Sequence, residues 1–107
     1  MKLVYISGKY TRTDKRTVRD NIKLAERYGI KIWNKGYAVL IPHMNTAFLE
    51  RKSKVGYNQI MEADLLMLSR CDILFLLPNY KSSRGALQEL ELAKKLEIPI
   101  YTKLKDL

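Results

Sequence analysis

The stretch from Asp64 to Leu96, DLLMLSRCDILFLLPNYKSSRGALQELELAKKL, decides the fold. At its centre Ile73-Leu74-Phe75-Leu76-Leu77 is a continuous apolar run closed by Pro78-Asn79. A run without polar alternation reads as a strand covered on both faces, the state of a central strand in a parallel sheet. The residues that follow, Lys81-Ser82-Ser83-Arg84-Gly85, are small, polar and basic, and Ala86 to Leu96 consists of strong helix formers with no breaker. The unit is therefore strand, loop and helix. In an open parallel sheet, ligands sit beyond the carboxyl ends of the strands, where helix N-termini offer free N–H groups, and Ser82 to Gly85 lies at that edge.

Two carboxylates in this stretch fall on apolar stripes. Glu89, about one turn into the helix, shares a stripe with Ala86, Ala93 and Leu96. Asp64, on the preceding helix, shares one with Ile60, Met67 and Leu68. An acid on an apolar face needs a partner or carries a raised pKa, the condition in which one carboxyl donates a proton while another attacks. The plainer readings stand beside this: Glu89 suits a helix N-terminus through the dipole, and Asp64 suits an ion pair with Arg70 or a lysine. Periodicity by itself favours the plainer readings.

Outward from this centre the chain repeats the same grammar. Leu3-Val4-Tyr5-Ile6 is β-rich and ends in Ser7-Gly8, the pattern of a first strand with a turn at its carboxyl end. Val18, Ile22, Ala25, Gly29 and Ile32 define an amphipathic helix expected from near Thr13-Asp14 to Gly36. Tyr37 to Ile41 reads as the second strand, ended by Pro42, and Asn45 to Gly56 as a lid of unreadable conformation. Tyr57 to Ser69 reads as a helix and Ile98 to Thr102 as an edge strand with Pro99 at its start. Strands separated by helices give βαβ units with right-handed crossovers. The expectation is an α/β fold: a small doubly wound (Rossmann/flavodoxin-like) parallel sheet of about four strands, order 2-1-3-4, as a single domain over residues 1–107.

A chain of 107 residues with 47% hydrophobic content has room for one modest core, and its longest apolar run is far short of a membrane span. No signal peptide is visible, and the single cysteine, Cys71, forms no internal disulfide, so a cytoplasmic location is expected. Lys and Arg number 20 against 11 Asp and Glu, a formal charge of +9, which points to an anionic ligand. Arg12, Arg16, Arg19, Lys23 and Arg27 recur at helical spacing; such a stripe can touch nucleic acid but is more often a solvated face, so nucleic acid is not the expected partner. His43 is the sole histidine, at the carboxyl edge of the second strand, without Cys or His neighbours at ligand spacing; no metal site and no cofactor is expected. The loop Ser7-Gly8-Lys9-Tyr10-Thr11 places backbone N–H groups and hydroxyls where a ligand would sit, although a lone Ser-Gly turn is weak evidence for phosphate.

Asp64-Leu65, Leu68, Cys71-Asp72 and Ser83-x-Gly85-x-x-x-Glu89 resemble, in spacing and identity, the nucleoside 2-deoxyribosyltransferase superfamily, which includes the 2′-deoxynucleoside 5′-monophosphate N-glycosidases. The fuller string looks still more like a small branch of that superfamily, common in phages and bacteria, that typically reads RCD, a hydrophobic strand, LLPGW, SxGA and a Glu. The opening of that family usually reads YISGPYT; Tyr5, Ser7, Gly8, Tyr10 and Thr11 match, and Lys9 stands where Pro is frequent. Larger members carry a further C-terminal strand and tail, whose contacts are not carried over to this chain.

The resemblance implies that Glu89 attacks C1′ of a nucleotide to form a glycosyl-enzyme, with Asp64 as general acid and base and the Tyr5 hydroxyl orienting the nucleophile. Tyr5 also suits a plain aromatic core position. Substrate contacts are implied at Ser7, Gly8, Tyr10, Thr11, Ser83, Arg84 and Gly85, with His43 a further one. Ser83 before Gly85, where nucleoside transferases tend to carry an acid, favours a 5′-monophosphate over a free nucleoside; the same loop also reads as an N-cap followed by an exposed arginine. A homodimer or larger homo-oligomer is implied as well. A deoxyribosyltransferase, a silent nucleotide sensor and a basic nucleic-acid-binding module stand as alternatives.

Overall fold

The computed structural model describes residues 1–10 and 15–107. Its four strands are β1 (Leu3–Ser7), β2 (Ala38–Leu40), β3 (Ile73–Leu76) and β4 (Ile100–Tyr101). Its helices are α1 (Lys15–Trp33), α2 (Pro42–Asn45), α3 (Leu49–Lys52), α4 (Tyr57–Ser69) and α5 (Arg84–Lys95), with 3-10 turns at Tyr80–Ser82 and Leu104–Asp106. The sheet order is β2-β1-β3-β4 and every pairing is parallel, as the alternation of strands and helices dictates. β1 and β3 form the longest pairing, from Val4 opposite Ile73 to Ser7 opposite Leu76.

The two-residue period of the strands sorts the core into two layers. Val4, Ile6, Ile73, Phe75 and Leu77 pack with Ala25 and Ile32 of α1 on one face. Tyr5, Leu74 and Leu76 pack with Leu68 of α4 and Ala93 of α5 on the other. The chain first moves from β1 to β2, then returns past β1 to β3. A right-handed crossover in each direction places the connecting helices on opposite faces, which creates a switch point between β1 and β3. Gly29 lies where α1 crosses the sheet: a Cβ there would sit 2.5 Å from Ile41 Cδ1. Cys71 is buried, with its thiol against the Met67 carbonyl at 3.3 Å, which is core packing.

Several boundaries differ from the sequence reading. α1 stops at Trp33, and Gly36, at φ 97°, closes the turn beyond it; the expected start at Thr13-Asp14 lies outside the described residues, as do the expected ligand contact Thr11 and Arg12 of the basic stripe. Arg19, Lys23 and Arg27 are exposed, the arrangement of a solvated face. β2 is shorter than Tyr37 to Ile41 because Ile41 already serves as the N-cap of α2. β4 is only two residues long, at the edge of the sheet. Leu96, assigned to the Glu89 stripe, is 45% exposed instead, because α5 ends one residue earlier and Glu97 turns the chain away at φ 58°. The segment 45–56 carries α3, entered through Phe48 at φ 57°, whose N–H donates to the Tyr10 hydroxyl at 2.7 Å.

Candidate functional site

Tyr5 and Ser7 alternate onto the α4/α5 side of β1, and α5 descends onto that side after β3. What brings α5 close is its apolar stripe: Ala86 and Ala93, both buried, leave space for the helix to approach the sheet, and Glu89 falls between them. Ser83 starts the helix as its N-cap, the side-chain oxygen accepting from the Ala86 N–H at 3.0 Å. Glu89 is therefore buried, 6% exposed, and gripped at both oxygens. The Tyr5 hydroxyl donates to Oε2, and Ser7 Oγ donates to Oε1 at 2.6 Å. A carboxylate held in this way is not an ornament of the helix dipole.

Burial pushes the Glu89 carboxyl up to about 7; the two hydroxyl donors oppose the rise and the charge of Asp64 adds to it. Burial also raises the Tyr5 hydroxyl, with Glu89 and Asp64 adding to the effect, so this hydroxyl stays a proton donor to the carboxylate. Asp64 is half-buried on α4, and burial pushes it up to about 6. Among the described residues its Oδ1 has no hydrogen-bond partner. Arg70, one expected partner, caps α4 out in solvent, and among the described residues the one ion pair is Lys94–Glu91, at 3.7 Å on the surface. The structure thus leaves two acids of unequal circumstance in one place, one fully hydrogen-bonded and one with an oxygen unpartnered.

Between them lies a cleft of about 570 Å³ at the carboxyl edge of β1 and β3. Gly8, Lys9 and Tyr10 form one wall, Pro42 and His43 a second, Ile60, Met61 and Asp64 of α4 a third, and Ser83 to Ala86 with Glu89 a fourth. Of the residues singled out in the sequence, Gly8, Tyr10, His43, Asp64, Ser83, Arg84, Gly85 and Glu89 all line this cleft. Tyr5 and Ser7 meet it through Glu89. Gly85 keeps the helix start close to α4, since a Cβ there would lie 3.4 Å from Met61 Sδ. Among the described residues no group of three His, Cys, Asp or Glu side chains could hold a metal ion.

His43 lines the cleft and also braces the loop after β1. It is 5% exposed and burial lowers its pKa; the bond to the Lys9 carbonyl at 3.1 Å places a proton on Nε2, and among the described residues its buried Nδ1 has no partner. Tyr10 packs edge-on against it, ring centroids 5.8 Å apart. Two further residues of this kind escaped the sequence reading. Asn79 Oδ1 accepts from the Lys9 N–H at 3.0 Å, and its Nδ2 reaches Asn21 Oδ1 at 3.4 Å. Asn21 in turn donates to the Tyr10 carbonyl at 3.4 Å. Asn21 had a legible signal: it occupies the third residue after Val18 and the fourth before Ala25, an apolar-stripe position, and is buried. Asn79 had none beyond closing the strand.

The fold and the cleft define the class: a doubly wound parallel α/β domain that carries a pair of carboxyl groups in a cleft at its switch point. The chain belongs to the family described as Domain of unknown function (DUF4406), which matches residues 2–102. The sequence has no significant match among curated proteins.

Proposed function

We propose that the protein is an N-glycosidase that cleaves the base–sugar bond of a (deoxy)nucleoside 5′-monophosphate, with Glu89 as nucleophile and Asp64 as general acid and base. The observation that carries this reading is the treatment of the two acids: Glu89 is aimed by two buried hydroxyls, while Asp64, on the wall of the same cleft, has an oxygen without a partner among the described residues. Cleavage at an anomeric carbon needs a nucleophile on one face and a proton for the departing base on the other, with oxocarbenium character between. Hydroxyls that fix Glu89 at both oxygens limit its rotation and present a lone pair in one direction. Asp64, held near 6, can be protonated close to neutral pH, deliver that proton to the base, and then take one from water.

The proton and electron count closes without a cofactor. A Glu89 lone pair forms the C1′–O ester bond as the C1′–N bond breaks and its pair leaves on the base nitrogen, which Asp64 protonates; water then gives its oxygen to C1′ and a proton to Asp64, releasing Glu89 as the carboxylate. The Ser83-Arg84-Gly85 turn at the N-terminus of α5, in the cleft wall, supports the choice of a monophosphate. A cytoplasmic location, where free nucleotides occur, belongs to the same proposal.

The test is incubation with nucleosides and 5′-monophosphates, ribo and deoxy, followed by chromatography for free base. Base from monophosphates is the expected result. Base only when an acceptor base is added replaces the hydrolase with a transferase, and nucleotide binding without base release leaves a sensor.

A further inference from the structure

We propose that Lys9 is the residue that selects a phosphorylated ligand, its ammonium supplying a charge contact to the phosphoryl group from the wall opposite in sequence to Arg84. The inference rests on the nucleotide reading above and names a determinant within it. Lys9 stands one residue beyond the end of β1, after Gly8, at the switch point, and lines the cleft. Its backbone is held on both sides: the N–H by Asn79 Oδ1 at 3.0 Å and the carbonyl by His43 Nε2 at 3.1 Å. The preceding residue is equally constrained, because a Cβ on Gly8 would lie 2.6 Å from Leu77 Cδ1 and 2.9 Å from Asn79 Oδ1. Three polar side chains, Asn79, Asn21 and His43, thus hold the backbone of Lys9 and Tyr10 in place. That investment of buried hydrogen bonds makes sense for a residue whose position matters.

Among the described residues the Lys9 ammonium forms no ion pair; the one ion pair lies elsewhere, at Lys94–Glu91. Of the two acids in the cleft, Glu89 is occupied by Tyr5 and Ser7. The alternative phosphate contact at the start of α5 is partly spent, since Ser83 Oγ already accepts from the Ala86 N–H as the helix cap. Lys9 and Arg84, from loops that follow adjacent parallel strands, are the cations of the cleft wall. A lysine presents a compact charge that suits a phosphate approached from one side, and its fixed Cα lowers the ordering cost of the contact.

The experiment compares calorimetric binding of deoxynucleoside 5′-monophosphates and the matching nucleosides to the wild type and to Lys9→Met, Lys9→Gln and Lys9→Arg, with melting temperature as a check of folding. The expected result is a wild-type preference for the monophosphate that falls by about tenfold or more in Lys9→Met and Lys9→Gln and is largely kept in Lys9→Arg, the scale of one charge-assisted contact. An unchanged preference in folded Lys9→Met or Lys9→Gln overturns the proposal, and so does a wild type with no preference. Base release followed in parallel separates the two readings. A lysine-dependent preference without any base release keeps this inference and removes the glycosidase; base release with a preference indifferent to Lys9 does the reverse.

Discussion

Glu89 and Asp64 are worth most at the scale of single residues because their ionisation is shaped by where they sit. Glu89 has its pKa raised from 4.5 to about 7, so the folded protein holds that proton more tightly than the unfolded chain does. The associated stability is present below the unfolded value and is lost as the pH rises through about 7. Glu89→Gln removes this penalty, and it should stabilise the protein by about 2 kcal/mol at about pH 8, read by chemical denaturation, while lowering base release by roughly a thousandfold or more. Unchanged turnover in that variant removes Glu89 from the mechanism. The coupled pair also sets the pH profile: kcat/KM should follow a narrow bell with limbs near about 6 and about 7, because activity needs one carboxyl ionised and the other protonated. A flat profile across that range argues against the pair. Asp64→Asn should be severely slowed with ordinary bases and much less so with bases that depart without protonation; equal losses for both leaving groups contradict the acid role.

At the scale of elements, the start of α5 divides structural from functional duty. Ser83 is the N-cap, so Ser83→Ala should cost about 1 kcal/mol of stability, visible as a lower melting temperature. Arg84 is exposed and forms no ion pair among the described residues, so Arg84→Ala should change stability by no more than about 0.5 kcal/mol while raising KM for monophosphates more than for nucleosides. An Arg84 variant whose KM is indifferent to the phosphate would remove the helix start from the binding site. The β1–α1 loop shows the same economy of placement: Gly8 fits under Leu77 and Asn79 only because it lacks a Cβ. α4 contributes in a different way, carrying its acid toward the cleft and Leu68 into the core from one helix.

For the whole molecule, the shape of the sheet decides what the site lacks. β4 is two residues long, and the cleft is walled by loops and by helices. Leu66 and Leu87, on α4 and α5, are 57% and 41% exposed, and Ile30 and Trp33 lie exposed on α1. We propose a homodimer or larger homo-oligomer that covers part of this surface and completes the cleft. Light scattering should give at least twice the monomer mass; a monomer that is active at micromolar concentration shows that the neighbouring chain is not needed. The charge of +9 belongs to the same scale: anion binding should weaken as salt rises, whereas binding of uncharged nucleosides should not.

The sequence by itself determined the sheet and its order, because a buried parallel strand, a helix stripe and a turn each leave a local pattern, and Ile73 to Leu77 left the plainest one. It also marked Glu89 and Asp64, since an acid at an apolar position breaks a period that is otherwise regular. Only the tertiary structure decided what those acids touch. Tyr5 and Glu89 are 84 residues apart, and their hydrogen bond depends on the register of β1 against β3 and on how deeply α5 packs. Leu96 failed as a stripe residue because a helix end is set by capping and by the turn at Glu97, which periodicity does not see. Asn79 and Asn21 are 58 residues apart and meet in one network with Lys9. A hydrogen bond between distant loops has no period in the chain, so the side chains that hold the cleft together emerge only when the strands that carry them are brought side by side.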